Sequence, residues 1–221
     1  MNLSKYIDHT LLKATAAESD VIQLCNEAKE HHFYAVCVNS SYVELCKKEL
    51  ENSNIKIASV VGFPLGAMDT LSKIYEAVHA TKNGADEIDM VINIGFFKDQ
   101  QYGRVENEIR LIKESIRDKI LKVIIETCYL TDDEKKMATL LVVNAGADFV
   151  KTSTGFGTGG ATLDDIELMK SVTQNKIQIK ASGGIRDYET ARKYIDLGVT
   201  RIGTSNGIQI VTGQIGDEQT Y

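Results

Sequence analysis

A parallel (β/α)8 barrel is the fold class that this 221-residue sequence predicts. Three observations lead there. Short β-rich runs recur about every 28 residues, segments of helical periodicity fill the intervals, and the junctions from helix to strand repeat in detail. About 250 residues is the usual size of this fold, so the chain predicts a compact member of it. Pro64 is the one proline, and no Ser/Gly/Pro-rich linker divides the chain, so residues 1–221 read as a single domain.

The elements follow in order. A short run, Tyr6–His9, precedes the first amphipathic helix, Glu18–Glu30. Strands are expected at Ala35–Val38, Ile57–Val61, Glu87–Val91, Lys122–Glu126, Phe149–Thr152, Ile177–Ala181 and Arg201–Thr204, because β-branched and apolar residues dominate each run. Helices are expected at Thr70–Lys82, Asn107–Arg117, Asp132–Asn144, Leu163–Val172 and Tyr188–Leu197. Seven clear strands and one weak one make eight. The junctions Gly84-Ala-Asp-Glu-Ile-Asp89, Gly146-Ala-Asp-Phe-Val-Lys151 and Gly198-Val-Thr-Arg-Ile-Gly203 share one register. In each, a glycine closes the helix, where a left-handed residue satisfies the last carbonyls. His32-Phe-Tyr-Ala-Val-Cys37 fits the same register without the glycine.

That register sorts the side chains, since alternate residues of a strand face opposite ways. Val36, Ile88, Val150 and Ile202 point to the helices, and Cys37, Asp89, Lys151 and Gly203 point to the barrel axis from the even strands. On the odd strands Ile124, Glu126, Gln178 and Lys180 face inward, and Asp8 ends the weak first strand. Asp8, Asp89, Glu126, Lys151 and Lys180 therefore gather near the strand C-termini, the end where active sites of this fold lie. A buried ion-pair network that only plugs the barrel is the bland alternative, but apolar residues would fill that space more stably.

Two lysines in one interior suggest a Schiff base. A lysine at its ordinary pKa of ~10.4 is almost wholly protonated at neutral pH. A second ammonium ~6 Å away at an effective dielectric of ~20 disfavours the charged form by roughly 2.8 kcal/mol, or ~2 pKa units, and burial adds about one more. The neutral amine then attacks a carbonyl, and a carboxylate such as Asp89 moves protons at the neighbouring carbon. Gly183-Gly184 and the segment Gly203-Thr-Ser205-Asn206-Gly207 follow the last two strands, whose loops form the usual phosphate site of the fold. Tight turns alone would also account for those glycines. Gly155-Phe-Gly157-Thr-Gly-Gly160 matches a dinucleotide fingerprint but lacks the acidic residue at the end of the next strand, so a flexible loop admitting substrate fits better than NAD. Cys37 reads as a small buried apolar residue and His9 as a structural histidine.

Composition narrows the remainder. Lys and Arg number 25 against 31 Asp and Glu, for a net charge of −6, and 43% of residues are hydrophobic. That excludes a disordered chain, and a pI near 5.3 without a basic stripe argues against nucleic acid. No apolar run approaches the ~20 residues of a membrane span, no secretory signal is visible, and the expected address is cytoplasmic. Cys25, Cys37, Cys46 and Cys128 and the four histidines show no metal-ligand spacing, so neither a metal nor another cofactor is expected.

Several segments coincide with a known family. They are Ile7-Asp-His-Thr-Leu-Leu12, Val60-Val-Gly-Phe-Pro-Leu-Gly66, Gly84–Ile92, Lys122-Val-Ile-Ile-Glu-Thr127, Phe149-Val-Lys-Thr-Ser-Thr-Gly155 and Lys180-Ala-Ser-Gly-Gly-Ile-Arg186. From Tyr6 to about Ile210 the chain resembles the deoxyribose-phosphate aldolases. The resemblance implies metal-free, class I cleavage of 2-deoxy-D-ribose 5-phosphate to D-glyceraldehyde 3-phosphate and acetaldehyde, in deoxyribose phosphate catabolism. It implies Lys151 as the Schiff-base lysine, Lys180 as its tuning partner, Asp89 as proton donor and acceptor, and Asp8 as an assistant through water. Thr154, Gly183, Gly184, Gly203, Ser205 and Asn206 would bind substrate. The implied partners are a small sugar phosphate and acetaldehyde, with a homodimer left open. Phe156 stands where longer members carry a phosphate-holding lysine, Asn206 stands where many have serine, and Tyr221 echoes a terminal tyrosine of some members. The alternatives are a phosphate-binding barrel that enolises its substrate with Asp89 or Glu126, and a silent sugar-phosphate binder; neither explains two interior lysines.

Overall fold

A computed structural model describes residues 2–213; Tyr221 lies outside the described residues. Eight parallel strands close into a barrel in chain order. They are β1 (Ile7–Leu11), β2 (Ala35–Val38), β3 (Lys56–Val61), β4 (Glu87–Val91), β5 (Ile120–Ile124), β6 (Phe149–Lys151), β7 (Gln178–Ser182) and β8 (Arg201–Thr204). The helices are α1 (Glu18–Glu30), α2 (Val43–Glu49), α3 (Thr70–Asn83), α4 (Ile94–Lys98), α5 (Tyr102–Ile116), α6 (Asp132–Asn144), α7 (Leu163–Thr173), α8 (Tyr188–Asp196) and α9 (Gly207–Thr212).

The short run at the start is a full strand, paired with β2 on one side and β8 on the other, and it closes the barrel. Helices α2, α4 and α9 escape the periodicity of the sequence because none completes more than about two turns. Helix α5 starts five residues before the expected Asn107, through a first turn that contains Gly103 and so dilutes the helical pattern. Strand β5 ends at Ile124, so Glu126 lies beyond it, in a left-handed conformation with φ 53°.

Helix ends follow local chemistry. Thr131 with Glu134 opens α6 and Thr162 with Asp165 opens α7 as capping boxes, while the Asp69 and Asp187 carboxylates accept backbone N–H groups at α3 and α8. Gly84, Gly146 and Gly198 all take positive φ at the junctions where the repeated register puts them, and His32 takes φ 54° in the junction that lacks the glycine.

Packing divides into two regions. The larger core lies between sheet and helices, with Val36, Ile88, Val150 and Ile202 fully buried in it. Burying each such side chain contributes about 1.5–3 kcal/mol. The barrel interior holds a small apolar cluster of Leu12, Cys37, Ala58 and Val60 on one side, and charge on the other.

Between α3 and α5 a buried pair ties the helix ring to the sheet. The Lys73 ammonium donates to Glu108 at 2.7 Å and to the Val91 carbonyl at the end of β4 at 2.9 Å. Thr70 donates to the other Glu108 oxygen at 2.9 Å. Burial lowers the Lys73 pKa against the opposing pull of Glu108. Lys73→Ala should therefore cost about 3–5 kcal/mol of stability, because it leaves a buried carboxylate unpaired. Lys73→Met combined with Glu108→Leu should recover much of that loss, and urea melts of the two variants measure the difference.

Candidate active site

Register around the barrel sets the site. Each middle-layer residue pairs with an upper-layer residue on one neighbouring strand and a lower-layer residue on the other: Lys122 opposes Asp89 and Phe149, and Lys180 opposes Lys151 and Arg201. Three interior layers of four residues result, each from alternate strands. Ala35, Glu87, Phe149 and Arg201 form the lower layer; Asp8, Ala58, Lys122 and Lys180 the middle; Cys37, Asp89, Lys151 and Gly203 the upper.

Asp89 is the hub. Its Oδ2 accepts from Lys151 at 2.8 Å and from Lys180 at 2.8 Å, and its Oδ1 accepts from Lys122 at 2.7 Å. Asp8 accepts from Lys180 through Oδ2 and from Arg201 through Oδ1, the latter at 2.7 Å. Arg201 grips Glu87 with two nitrogens, at 2.8 and 3.0 Å, and Lys122 completes Glu87 at 2.5 Å. The guanidinium lies over the Tyr34 ring, 3.4 Å from its centroid. All seven charged side chains are buried.

Burial would push the Asp89 carboxyl up, but the three ammoniums around it hold it well below the usual carboxylate range. Asp8 is likewise held low, by Lys180 and Arg201 against the cost of burial. Lys180 and Lys122 are raised, because their carboxylate partners outweigh desolvation. Lys151 alone among the interior amines is lowered: burial leads, Asp89 opposes it, and the Lys180 charge adds to it. Desolvation thus outranks the neighbouring ammonium, the reverse of the weighting expected from spacing. Burial pushes the Cys37 thiol up, which keeps it protonated.

The other expected residues fall in three places. Thr154 is buried against Glu126, giving it both a backbone N–H, at 3.1 Å, and the hydroxyl hydrogen, while its Oγ1 accepts from the Phe156 N–H at 3.0 Å. Burial raises the Glu126 pKa, and no ion pair reaches that carboxylate among the described residues. Gly183, Gly184, Ser205 and Asn206 line a hollow of about 180 Å³ at the barrel mouth, together with Gly157 and Arg186. Gly203 does not line that hollow. It faces the barrel axis, where an added Cβ would stand 3.1 Å from Lys180 Cε and 3.0 Å from Ser182 Cβ, so its missing side chain makes room for Lys180. The Asn206 N–H is already given to Thr204 Oγ1 at 2.9 Å, which leaves fewer backbone donors in the segment 203–206 than expected. Asp8 accepts directly from the Lys180 ammonium. The loop after β6 is closely packed: an added Cβ at Gly160 would stand 2.2 Å from the Gly183 carbonyl oxygen, and one at Gly157 2.8 Å from Cys128 Sγ. Phe156 meets Phe63 edge-on, with ring centroids 5.3 Å apart.

Lys122, Glu87 and Arg201 are the interior charges that motif reading passed over. Alternation contained the signal, since each lies two residues before an inward position: Ile124, Asp89 and Gly203.

A (β/α)8 barrel that holds, near the strand C-termini, a buried lysine of lowered pKa against a carboxylate defines an enzyme of amine–carbonyl chemistry. Residues 3–211 match the model of the DeoC/LacD family aldolases. The deoxyribose-phosphate aldolase of Finegoldia magna is 56% identical over 96% of this chain and 100% of its own, and that of Deinococcus radiodurans is 51% identical over 96% and 97%. Among solved structures, an aldolase called QR15 is 43% identical with a TM-score of 0.92, covering 96% of this chain and 95% of its own. A tetrameric deoxyribose phosphate aldolase from Aeropyrum pernix is 32% identical with a TM-score of 0.86, covering 96% and 90%. The chain belongs to the DeoC/LacD aldolase family.

The depressed carboxyls make a pH prediction. Their folded values lie below the unfolded value near 3.9, so the stability they contribute is complete above about pH 5 and is lost as pH falls toward the folded values. Asp8→Asn should therefore flatten the fall in stability below about pH 4, while lowering stability at neutral pH. Urea midpoints measured from pH 7 to pH 3 check it, and an unchanged acid slope would exclude Asp8 as a contributor.

Proposed function

We propose that this chain is a class I aldolase that reversibly cleaves 2-deoxy-D-ribose 5-phosphate into D-glyceraldehyde 3-phosphate and acetaldehyde, with Lys151 as the Schiff-base residue. The observation that carries this reading is the Lys151 amine, buried and depressed, on the same Asp89 oxygen that holds Lys180. The names of its relatives and the family motifs support the substrate.

In the cleavage direction, the neutral Lys151 amine attacks C1 of the open-chain sugar, and loss of water forms the iminium. A base removes the C3 hydroxyl proton, the C2–C3 bond breaks, and its electron pair moves into the iminium to form an enamine. Glyceraldehyde 3-phosphate leaves, C2 takes up a proton, and hydrolysis releases acetaldehyde and the amine. Asp89 is the proton carrier within reach of the Lys151 nitrogen, and Lys180 keeps a proton available beside it. Asp8 anchors Lys180 in that role. The phosphate is taken by the glycine-lined hollow, with Gly183 and Gly184 offering backbone and Ser205 a hydroxyl. Thr154 acts on this site by holding its loop to Glu126.

Four cysteines are free among the described residues, and no described helix is long and apolar enough to cross a membrane, which fits the cytoplasmic address we assign. A homo-oligomer fits the same reading, given the tetrameric relative.

Acetaldehyde with borohydride should add one ethyl group, on Lys151, and Lys151→Ala should abolish both labelling and turnover. Mass spectrometry that located the label on Lys180 would reverse the two lysines. Substitution at Gly184, where φ is 78°, would strain the backbone, so the phosphate is better tested at Ser205. Ser205→Asp should cut deoxyribose 5-phosphate cleavage by at least about tenfold through charge repulsion, yet spare acetaldehyde trapping. Equal loss of both would place the phosphate elsewhere.

A further inference from the structure

The charged groups of the barrel interior form one connected network. Among the described residues, Arg201 touches Asp8 and Glu87; Lys122 touches Asp8 at 3.7 Å, Glu87 and Asp89; Lys180 touches Asp8 and Asp89; Lys151 touches Asp89 alone. Four cations therefore face three carboxylates. Among the described residues no further group joins these ion pairs. Strand β2 brings the Cys37 thiol and β3 Ala58 and Val60, while the Glu126 carboxylate beyond β5, held by Thr154, attracts Lys151 through space without pairing to the network. The network holds one positive charge too many, and the least-paired cation is Lys151.

We infer that Arg201 and Glu87, in the lower layer of the barrel, set the protonation of Lys151 by charge balance and so act as positioning residues for the reaction. Arg201 makes no contact with Lys151. Its charge occupies Glu87 and one oxygen of Asp8, which leaves Lys122 and Lys180 to claim the remaining carboxylate oxygens and Lys151 to shed its proton. Without Arg201, three amines face three carboxylates and Lys151 keeps its proton to higher pH. Without the Glu87 charge, four cations face two carboxylates and Lys151 loses it at lower pH. At an effective dielectric of about 20, a charge roughly 10 Å away moves a pKa by about one unit, which sets the scale of each shift.

This inference rests on Lys151 being the Schiff-base lysine. The experiment follows the rate of acetaldehyde trapping on Lys151 by cyanoborohydride across pH, with the label located by mass spectrometry. Arg201→Gln should move the rising limb to higher pH by about one unit, Glu87→Gln should move it to lower pH, and the double variant should return it toward the original position. A residue needed only for structure would scale the rates down without moving the limbs in opposite directions. Should Arg201→Gln fail to fold because Glu87 is left unpaired, the sign of the Glu87→Gln shift and the position of the double variant still decide. Limbs that stay in place, or that move the same way in both single variants, overturn the inference. An unsubstituted chain that takes no label on Lys151 overturns the proposed function instead.

Discussion

One carboxylate organises this molecule. Asp89 accepts three ammoniums with none of its own surface exposed, and the rest of the interior is arranged to offset that burial. A single buried ion costs several kcal/mol to desolvate, so a hub of this kind stands only when each further charge finds a partner of its own. Lys122 finds Glu87, Lys180 finds Asp8, and Glu87 and Asp8 share Arg201. Among the described residues Lys151 has no ion-pair partner beyond the hub. Its pKa falls below the ordinary lysine value because burial acts on it in full while Asp89 is divided among three claimants.

The barrel is what makes such a cluster hold. Alternate strands place their inward residues in layers, so a carboxylate on β4 meets lysines from β5, β6 and β7 without any of them leaving its strand. The position on β8 level with Asp89 is Gly203, and the missing side chain there is filled by Lys180. Outside the sheet, Lys73 repeats the principle on a small scale, binding a helix-borne carboxylate and a strand-end carbonyl together. Rigid elements thus carry the reacting groups, and the loops at the mouth carry the hollow for the substrate.

Those loops are built around close backbone approach. Gly160 lies against the Gly183 carbonyl, and Gly157 lies against Cys128, so the glycine run after β6 that mimics a nucleotide fingerprint serves packing between neighbouring loops. Glu126 and Thr154 pin the base of the same loop, three residues beyond Lys151. A side chain at Gly160 would collide with backbone, which has no room to yield.

By itself the sequence determined the barrel, the register of its even strands and the inward set of Asp8, Asp89, Lys151 and Lys180. These follow from local rules: a two-residue alternation in strands, a glycine at each helix end, and a repeat that counts to eight. The short helices α2, α4 and α9 escaped it because two turns do not establish a period. Tertiary structure alone decided which charges meet. Lys122 and Glu87 lie two positions before inward residues and share their parity, yet nothing local says that Lys122 and Arg201, from the far end of the chain, both close on Glu87. It also decided that Gly203 serves Lys180 while Gly183 lines the mouth, since a glycine's neighbour across the barrel is set by shear between strands and not by the residues beside it.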